Sequence, residues 1–429
     1  MVLFHSPHKS KRLSYVLDYV FTERLGINYE LSESVSNIAS PYKVCINYSQ
    51  IPLENAWNFM PDGLLNTSDI DPIQQKYLPE NPISSSLNDL DFDVFSAIFF
   101  HLSRYEEYLT KKRDEHGRFQ YTDSVLFQSD CLKFPLIDHW IAQFKNALIA
   151  HYHFLENDFK SETYQSIPTI DIDSVFAYKA KPFFRQVAAL TKDLFSGRLN
   201  EIKQRLNVVL GGKRDPNDNF DWQLSVLGNK KAIYFIQSGP YGPYDKNISP
   251  LHPEFKKILL KLANAGHTIG LHPSYSSNSK PVAIANEKLV LEKSTNLAVT
   301  HSRQHFLKMD LPETYRSLIA CGINYDYSMG YSHVPGFRAG TAHAFKWFDL
   351  INNTETSLTI QPFCCMDVAY KQFMKLSVDA CMADSHDIQT TLKTLNAPFV
   401  FVFHNESLSG HRGWKDWEKV FKFWLNDND

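Results

Sequence analysis

The sequence predicts an α/β protein: a distorted (β/α) barrel over residues 166–429, preceded by a smaller α+β domain over residues 1–165. Three observations lead there. The C-terminal part alternates apolar strand-like segments, at 169–172, 232–236, 268–271, 358–362 and 398–403, with helix-like stretches. Composition breaks near 158–168, where a helical pattern gives way to a short alternating segment. The chain has 429 residues, a length that suggests roughly two or three domains. The part after the break is long enough for one barrel. A doubly wound open sheet would give the same local pattern.

In the N-terminal part, helices are expected over 13–25, 94–108 and 136–150. In the last of these, Trp140, Ile141, Phe144, Ala147 and Leu148 recur at helical spacing. The polar run 103–107 continues an apolar helix and reads as helix-end ion pairing or a functional site. In the C-terminal part, Phe255, Ile258, Leu259, Leu262 and Ala263 share one helical face over 253–265, and Gly266 suits the position after a helix end. Residues 211–221 (GGKRDPNDNFD) are rich in turn formers and read as an exposed loop. No apolar strand leads into that GGKR run, which argues against a phosphate loop.

Composition excludes several classes. With 43% hydrophobic and 21% charged residues, long disorder is ruled out. Forty-four Lys and Arg against 47 Asp and Glu give a net charge of -3, so no electrostatic case exists for nucleic acid. No apolar run reaches the roughly 18 residues of a transmembrane helix, and no signal peptide is read at the N-terminus. The six cysteines form no CxxC and resemble reduced thiols. A cytoplasmic location is therefore expected. GxSxG, GxGxxG, GxxxxGK[ST] and HExxH are all absent.

Five segments carry candidate chemistry. On a strand at 168–173 (PTIDID), Ile170 and Ile172 face one way while Thr169, Asp171 and Asp173 face the other. Two carboxylates on one face repel unless a cation or proton lies between them. The bland alternative is a strand running out into a turn capped by Asp173. The segment GHTIGLH (266–272) is a short strand ending in His272, at the edge where α/β barrels hold their sites; His267, at the strand's start, is structural. His305, in SRQH (302–305), is either a solvated helix start or a third ligand. Arg338, in GFRAG (336–340), can fork against a carboxylate, and Gly340 frees backbone N–H groups for an oxyanion. The run APFVFVFH (397–404) is a buried strand ending in His404, suited to protonating a leaving group, with Asp367 to orient it. Asp326 is a candidate substrate contact. Trp414 is an aromatic that can stack on a sugar or simply pack.

This ordered set resembles the polysaccharide deacetylases of the NodB-homology type, carbohydrate esterase family 4. Their TFDD-like first motif is TIDID (169–173) here, with one extra residue between the acids. Their GHEIGNH-like segment is GHTIGLH (266–272), with Ser276 where a second His belongs. Their R-x-P motif is Arg338-Ala-Gly, and their L-x-H motif is VFH (402–404). An RQHFL segment (303–307) and GFRAG (336–340) are similar to divergent bacterial members, which also carry an extra N-terminal domain. The resemblance spans about 166–429. It implies a NodB-type barrel and removal of N-acetyl groups from a sugar or polysaccharide precursor.

It further implies one divalent metal ion, Zn2+ with Co2+ or Ni2+ as alternatives, held by Asp173, His272 and, in place of the missing ligand, His305. Asp171 would be the base, fixed by Arg338. Gly340 would help bind the oxyanion, and His404 would be the acid, oriented by Asp367. The roles of Asp171 and Asp173 are exchangeable at this level. Three other readings stay open: a decayed barrel acting as a glycan-binding module, hydrolysis of a non-sugar amide, or a structural or partner-binding protein with the N-terminal domain as its interface. The sequence does not address oligomeric state.

Overall fold

A computed structural model describes residues 1–34, 42–72, 77–78 and 92–426. The N-terminal part builds a four-stranded sheet from β1 (Val2–His5), β2 (Tyr29–Ser32), β3 (Val44–Tyr48) and β4 (Trp57–Phe59), in the order β2-β1-β3-β4. Every pairing in it is parallel. Parallel strands need crossovers and covered faces, and the helices Lys11–Leu17, Val94–Leu102 and Leu136–Tyr152 supply much of that cover. The arrangement is thus α/β, where the sequence had suggested α+β. Short, single-strand apolar runs concealed the parallel pairing.

The C-terminal part builds a nine-stranded sheet. Its strands are β5 (Ser166–Ile172), β6 (Ile233–Gln237), β7 (Thr268–His272), β8 (His301–Ser302), β9 (Tyr325–Asp326), β10 (Phe345–Asp349), β11 (Thr354–Ile360), β12 (Cys365–Met366) and β13 (Phe399–His404). The order is β10-β11-β9-β8-β7-β6-β5-β13-β12. All neighbours are parallel except β10 and β11. β10 and β12 are the two ends of the order, and no ladder joins them among the described residues. The curled sheet therefore carries a seam instead of closing as a full barrel.

Strand parity sorts the side chains. Along β13, Phe399, Phe401 and Phe403 pack outward on Phe421 and Trp424. Val400 and Val402 point to the other face, in a cluster with Leu307, Phe363 and Met366. His404 continues this second parity. Gly270 in β7 has a steric reason: a Cβ there would lie 2.7 Å from the Phe235 ring.

The N-terminal part covers the β10 side of the seam. Tyr15 donates to the Lys346 carbonyl at 2.7 Å, and Phe99 meets Phe348 edge to face. Gly336 has φ 140°, and a Cβ there would come within 2.6 Å of the Leu132 carbonyl, so the 336–340 loop sits flush on the N-terminal part. The helix expected over 94–108 is broken at Arg104, which is left-handed at φ 56°. The break lets Arg104 pair with Glu106 at 2.6 Å and Glu107 at 2.9 Å, all buried. Glu107 also takes both arms of Arg338, at 2.7 and 2.9 Å.

Burial alone would raise the Glu107 carboxyl, but the Arg338 and Arg104 charges outweigh it and hold its pKa at about 2 against an ordinary 4.5. Removing one member of a buried ion pair strands the other. Glu107→Gln should therefore lower stability at neutral pH by about 3–5 kcal/mol in chemical denaturation. A depressed acid stabilises above its unfolded pKa. The wild-type advantage should be complete above about pH 4.5 and disappear as pH falls toward about 2.

Candidate metal centre

The site forms where parallel strands end together. Asp171 on β5 lies directly opposite His404 on β13, and Gln237 on β6 opposite His272 on β7. Asp173 follows β5 immediately, and His305 follows β8. Asp171, Asp173, His272, His305 and His404 line a cleft of about 240 Å³ together with Trp414.

Asp173, His272 and His305 present ligand atoms that all lie within 4.8 Å of one another. His272 Nδ1 is 2.6 Å from the Arg303 carbonyl oxygen. A carbonyl only accepts, so Nδ1 carries the hydrogen and Nε2 is left with its lone pair in the neutral ring. His305 Nδ1 likewise donates to Asp245 Oδ1 at 2.9 Å. Both Nε2 atoms then turn toward Asp173, at 3.2 Å for His272 and 3.4 Å for His305. Two lone pairs aimed at one carboxylate repel it unless a positive charge lies among them. Asp173 Oδ1 and His272 Nε2 are buried without a hydrogen-bond partner. Imidazole and carboxylate are the donor set of a zinc-type ion, so these three residues fit such an ion.

The neighbouring carboxylates raise the proton affinity of the His305 imidazole, so a metal ion binding here would displace a proton. Burial would drive the protons off His305 and His404. For His305, Asp173 and Asp245 override burial and lift the pKa to about 9. For His404, Asp367 leads the opposition and lifts it to about 10. Burial would raise Asp173, yet the two imidazoles hold it well below the usual carboxylate range.

Of the residues singled out from sequence, Asp171, Asp173, His272, His305, His404, Asp367 and Trp414 come together. Asp367 accepts from His404 twice, from the backbone N–H and from Nδ1, each at 2.8 Å. Arg338, Gly340 and Asp326 do not join them. Arg338 is committed to Glu107, because the 336–340 loop docks on the N-terminal part. Gly340 lies against Ile137 and His101, and its carbonyl accepts from Ile137 N–H. Asp326 is fully buried and held by Ser302 and Ser328. Ser276 contacts Ser274 and stands outside the trio.

The arginine on Asp171 is Arg303, with Nη1 at 2.7 Å from Oδ1 and Nη2 donating to Thr169 at 2.7 Å. Its signal was present in the RQHFL segment beside His305, but a pairing between residues 132 positions apart leaves no local trace. Arg118 was also missed. Its Nη1 donates to the Phe306 carbonyl and to Ser332, each at 2.9 Å, while Asp114 holds its Nε at 2.7 Å. Phe306 and Leu307 are both left-handed, at φ 62° and 51°, a conformation non-glycine residues hold only when their surroundings impose it. An N-terminal side chain thus pins the strained turn that follows His305.

Residues 2–153 match a protein family of unknown function, DUF7033. No curated protein matches the chain. Among solved structures, similarity is found to a candidate polysaccharide deacetylase of Mycobacterium smegmatis, at 14% identity and TM-score 0.40, covering 62% of this chain and 84% of the other. It is also found to a polysaccharide deacetylase of Bacillus cereus, at 12% identity and TM-score 0.28, covering 62% and 86%. A carbohydrate esterase family 4 pseudoenzyme of Bacillus anthracis matches at 10% identity and TM-score 0.30, covering 66% and 76%.

Asp245 orients the candidate ligand His305, and such partners of a metal ligand typically contribute about 10–100-fold to metal affinity. Asp245→Asn should weaken zinc binding by about that factor in a competition titration with a chromophoric chelator.

Proposed function

We propose that the chain is a metal-dependent hydrolase that removes an N-acetyl group from a sugar or a polysaccharide precursor. The observation that carries the reading is the set of two imidazole Nε2 edges turned on the two carboxylate oxygens of Asp173. Beside that set lie a base and an acid, each with its own orienting partner. The ordered motifs shared with polysaccharide deacetylases support the choice of an acetamido sugar.

Asp173, His272 and His305 would hold one divalent ion, zinc or a similar metal. When bound, it supplies Lewis-acid polarisation of the amide carbonyl and a lowered pKa for a water molecule. Asp171 is the base: Arg303 occupies its Oδ1 and leaves Oδ2 to take a proton from the attacking water. Arg303 replaces Arg338 in this task. His404 is the acid: Asp367 fixes Nδ1, so Nε2 delivers its proton to the departing amine. Trp414 offers an aromatic wall to the sugar ring.

Elemental analysis of protein prepared without a histidine tag should find about one zinc-like ion per chain, and little in His305→Ala. Absence of metal in the wild type after adding zinc, cobalt or nickel would defeat the reading and favour a glycan-binding module. Asp171→Asn should retain the metal and lower acetate release by about 10²–10⁴-fold, the usual worth of a general base. His404→Ala should fall by a similar factor and recover best on substrates with a good leaving group, because such substrates do not need the proton.

A further inference from the structure

Between β5 and β6 the chain forms a hairpin of two helices, Phe183–Phe195 and Leu199–Val209, and many of its apolar side chains face outward. An ordinary surface helix turns its apolar stripe inward and its charges outward. Here an ion pair is inside, while Lys192, Arg198 and Lys203 stay at the surface. Asp193 and Arg205 are buried and paired at 3.1 Å, Arg205 also donates to Gln186 at 3.1 Å, and its guanidinium lies 4.7 Å from the Tyr178 ring. The apolar side chains are outside: Phe183 is 83% exposed, Phe195 88% and Leu210 81%, with Phe184, Leu194 and Leu199 each above 59%. Single exposed apolar residues are common, but a contiguous ridge of them marks a contact surface.

Charge indicates what the ridge contacts. Residues 181–213 hold seven Lys and Arg against two acids, in a chain whose net charge is -3. Among the described residues, Lys192, Lys203 and Lys213 are exposed and form no ion pair. Aromatic and aliphatic side chains beside unpaired lysines are the pattern of a helix lying in the headgroup layer of an anionic membrane. Protein interface cores are depleted of lysine. No helix among the described residues is long and apolar enough to cross a membrane. We infer that the 183–210 hairpin docks flat on an anionic lipid bilayer, inserting Phe183, Phe195 and Leu210 while its lysines meet the headgroups.

The hairpin also touches the route to the site. Lys181, at its root, lines a second cavity of about 220 Å³, and that cavity shares Glu406 and Trp414 with the metal cleft. Docking at 183–210 would set this side of the cleft toward the lipid, where a membrane-anchored glycan precursor would be presented. The docking itself does not depend on the hydrolase reading.

The test is sedimentation of the full chain with vesicles, without added metal or sugar, so that a failure here is separate from a failure of the hydrolase reading. The protein should pellet with phosphatidylcholine vesicles that contain phosphatidylglycerol, remain in solution with phosphatidylcholine alone, and be released by high salt. Phe183→Ser combined with Phe195→Ser should reduce the bound fraction roughly ten-fold. Both positions are exposed, so the thermal unfolding midpoint should not change. Lys192→Glu with Lys203→Glu should do the same through charge. Wild-type protein left in solution with anionic vesicles at low salt would overturn the inference, and so would serine variants that pellet like wild type. A wild-type dimer that dissociates on the serine substitutions would overturn it in favour of a second copy covering the ridge.

Discussion

The site depends on the direction of two hydrogen bonds. The Arg303 carbonyl and the Asp245 carboxylate can only accept, so each commits the Nδ1 of a histidine as a donor. That leaves two Nε2 edges facing Asp173, a grouping that needs a positive charge to hold it together. The same commitment orders the surroundings. Arg303 gives its carbonyl to His272 and its guanidinium to Asp171 and Thr169, so one residue sets both a candidate ligand and the candidate base.

The N-terminal part bears on this arrangement from two sides. Arg118 holds the left-handed turn after His305, and the His116 ring packs on Phe306 with centroids 5.0 Å apart. Glu107 holds Arg338 and with it the loop that borders the seam between β10 and β12. The hydrophobic core runs without interruption from Phe4 and Phe95 through Phe348 to Phe401. A part of the chain outside the candidate site thus supports the geometry of the part that carries it.

The legible features were those with a short period. Alternation on β5 put Thr169 and Asp171 on one face, and the apolar run before His404 marked a buried strand; the register of β5 on β13 then sets Asp171 opposite His404. The helical face at 253–264 and the stop at Gly266 followed from spacing of three and four residues. The hairpin at 183–210 was less legible, because an apolar stripe reads identically whether it faces the core or the outside.

The sequence by itself determined the strand-borne residues of the site: Asp171, Asp173, His272 and His404 stand at strand ends because apolar runs stop there. Only the tertiary structure decided which arginine meets Asp171. Arg303 and Arg338 are equally plausible as isolated residues, and the choice falls to packing: Gly336 and Gly340 let their loop lie against Leu132 and Ile137, which delivers Arg338 to Glu107 and leaves the carboxylate on β5 to Arg303. A long-range ion pair is selected by the position of two backbones, and no local pattern of residues encodes that position.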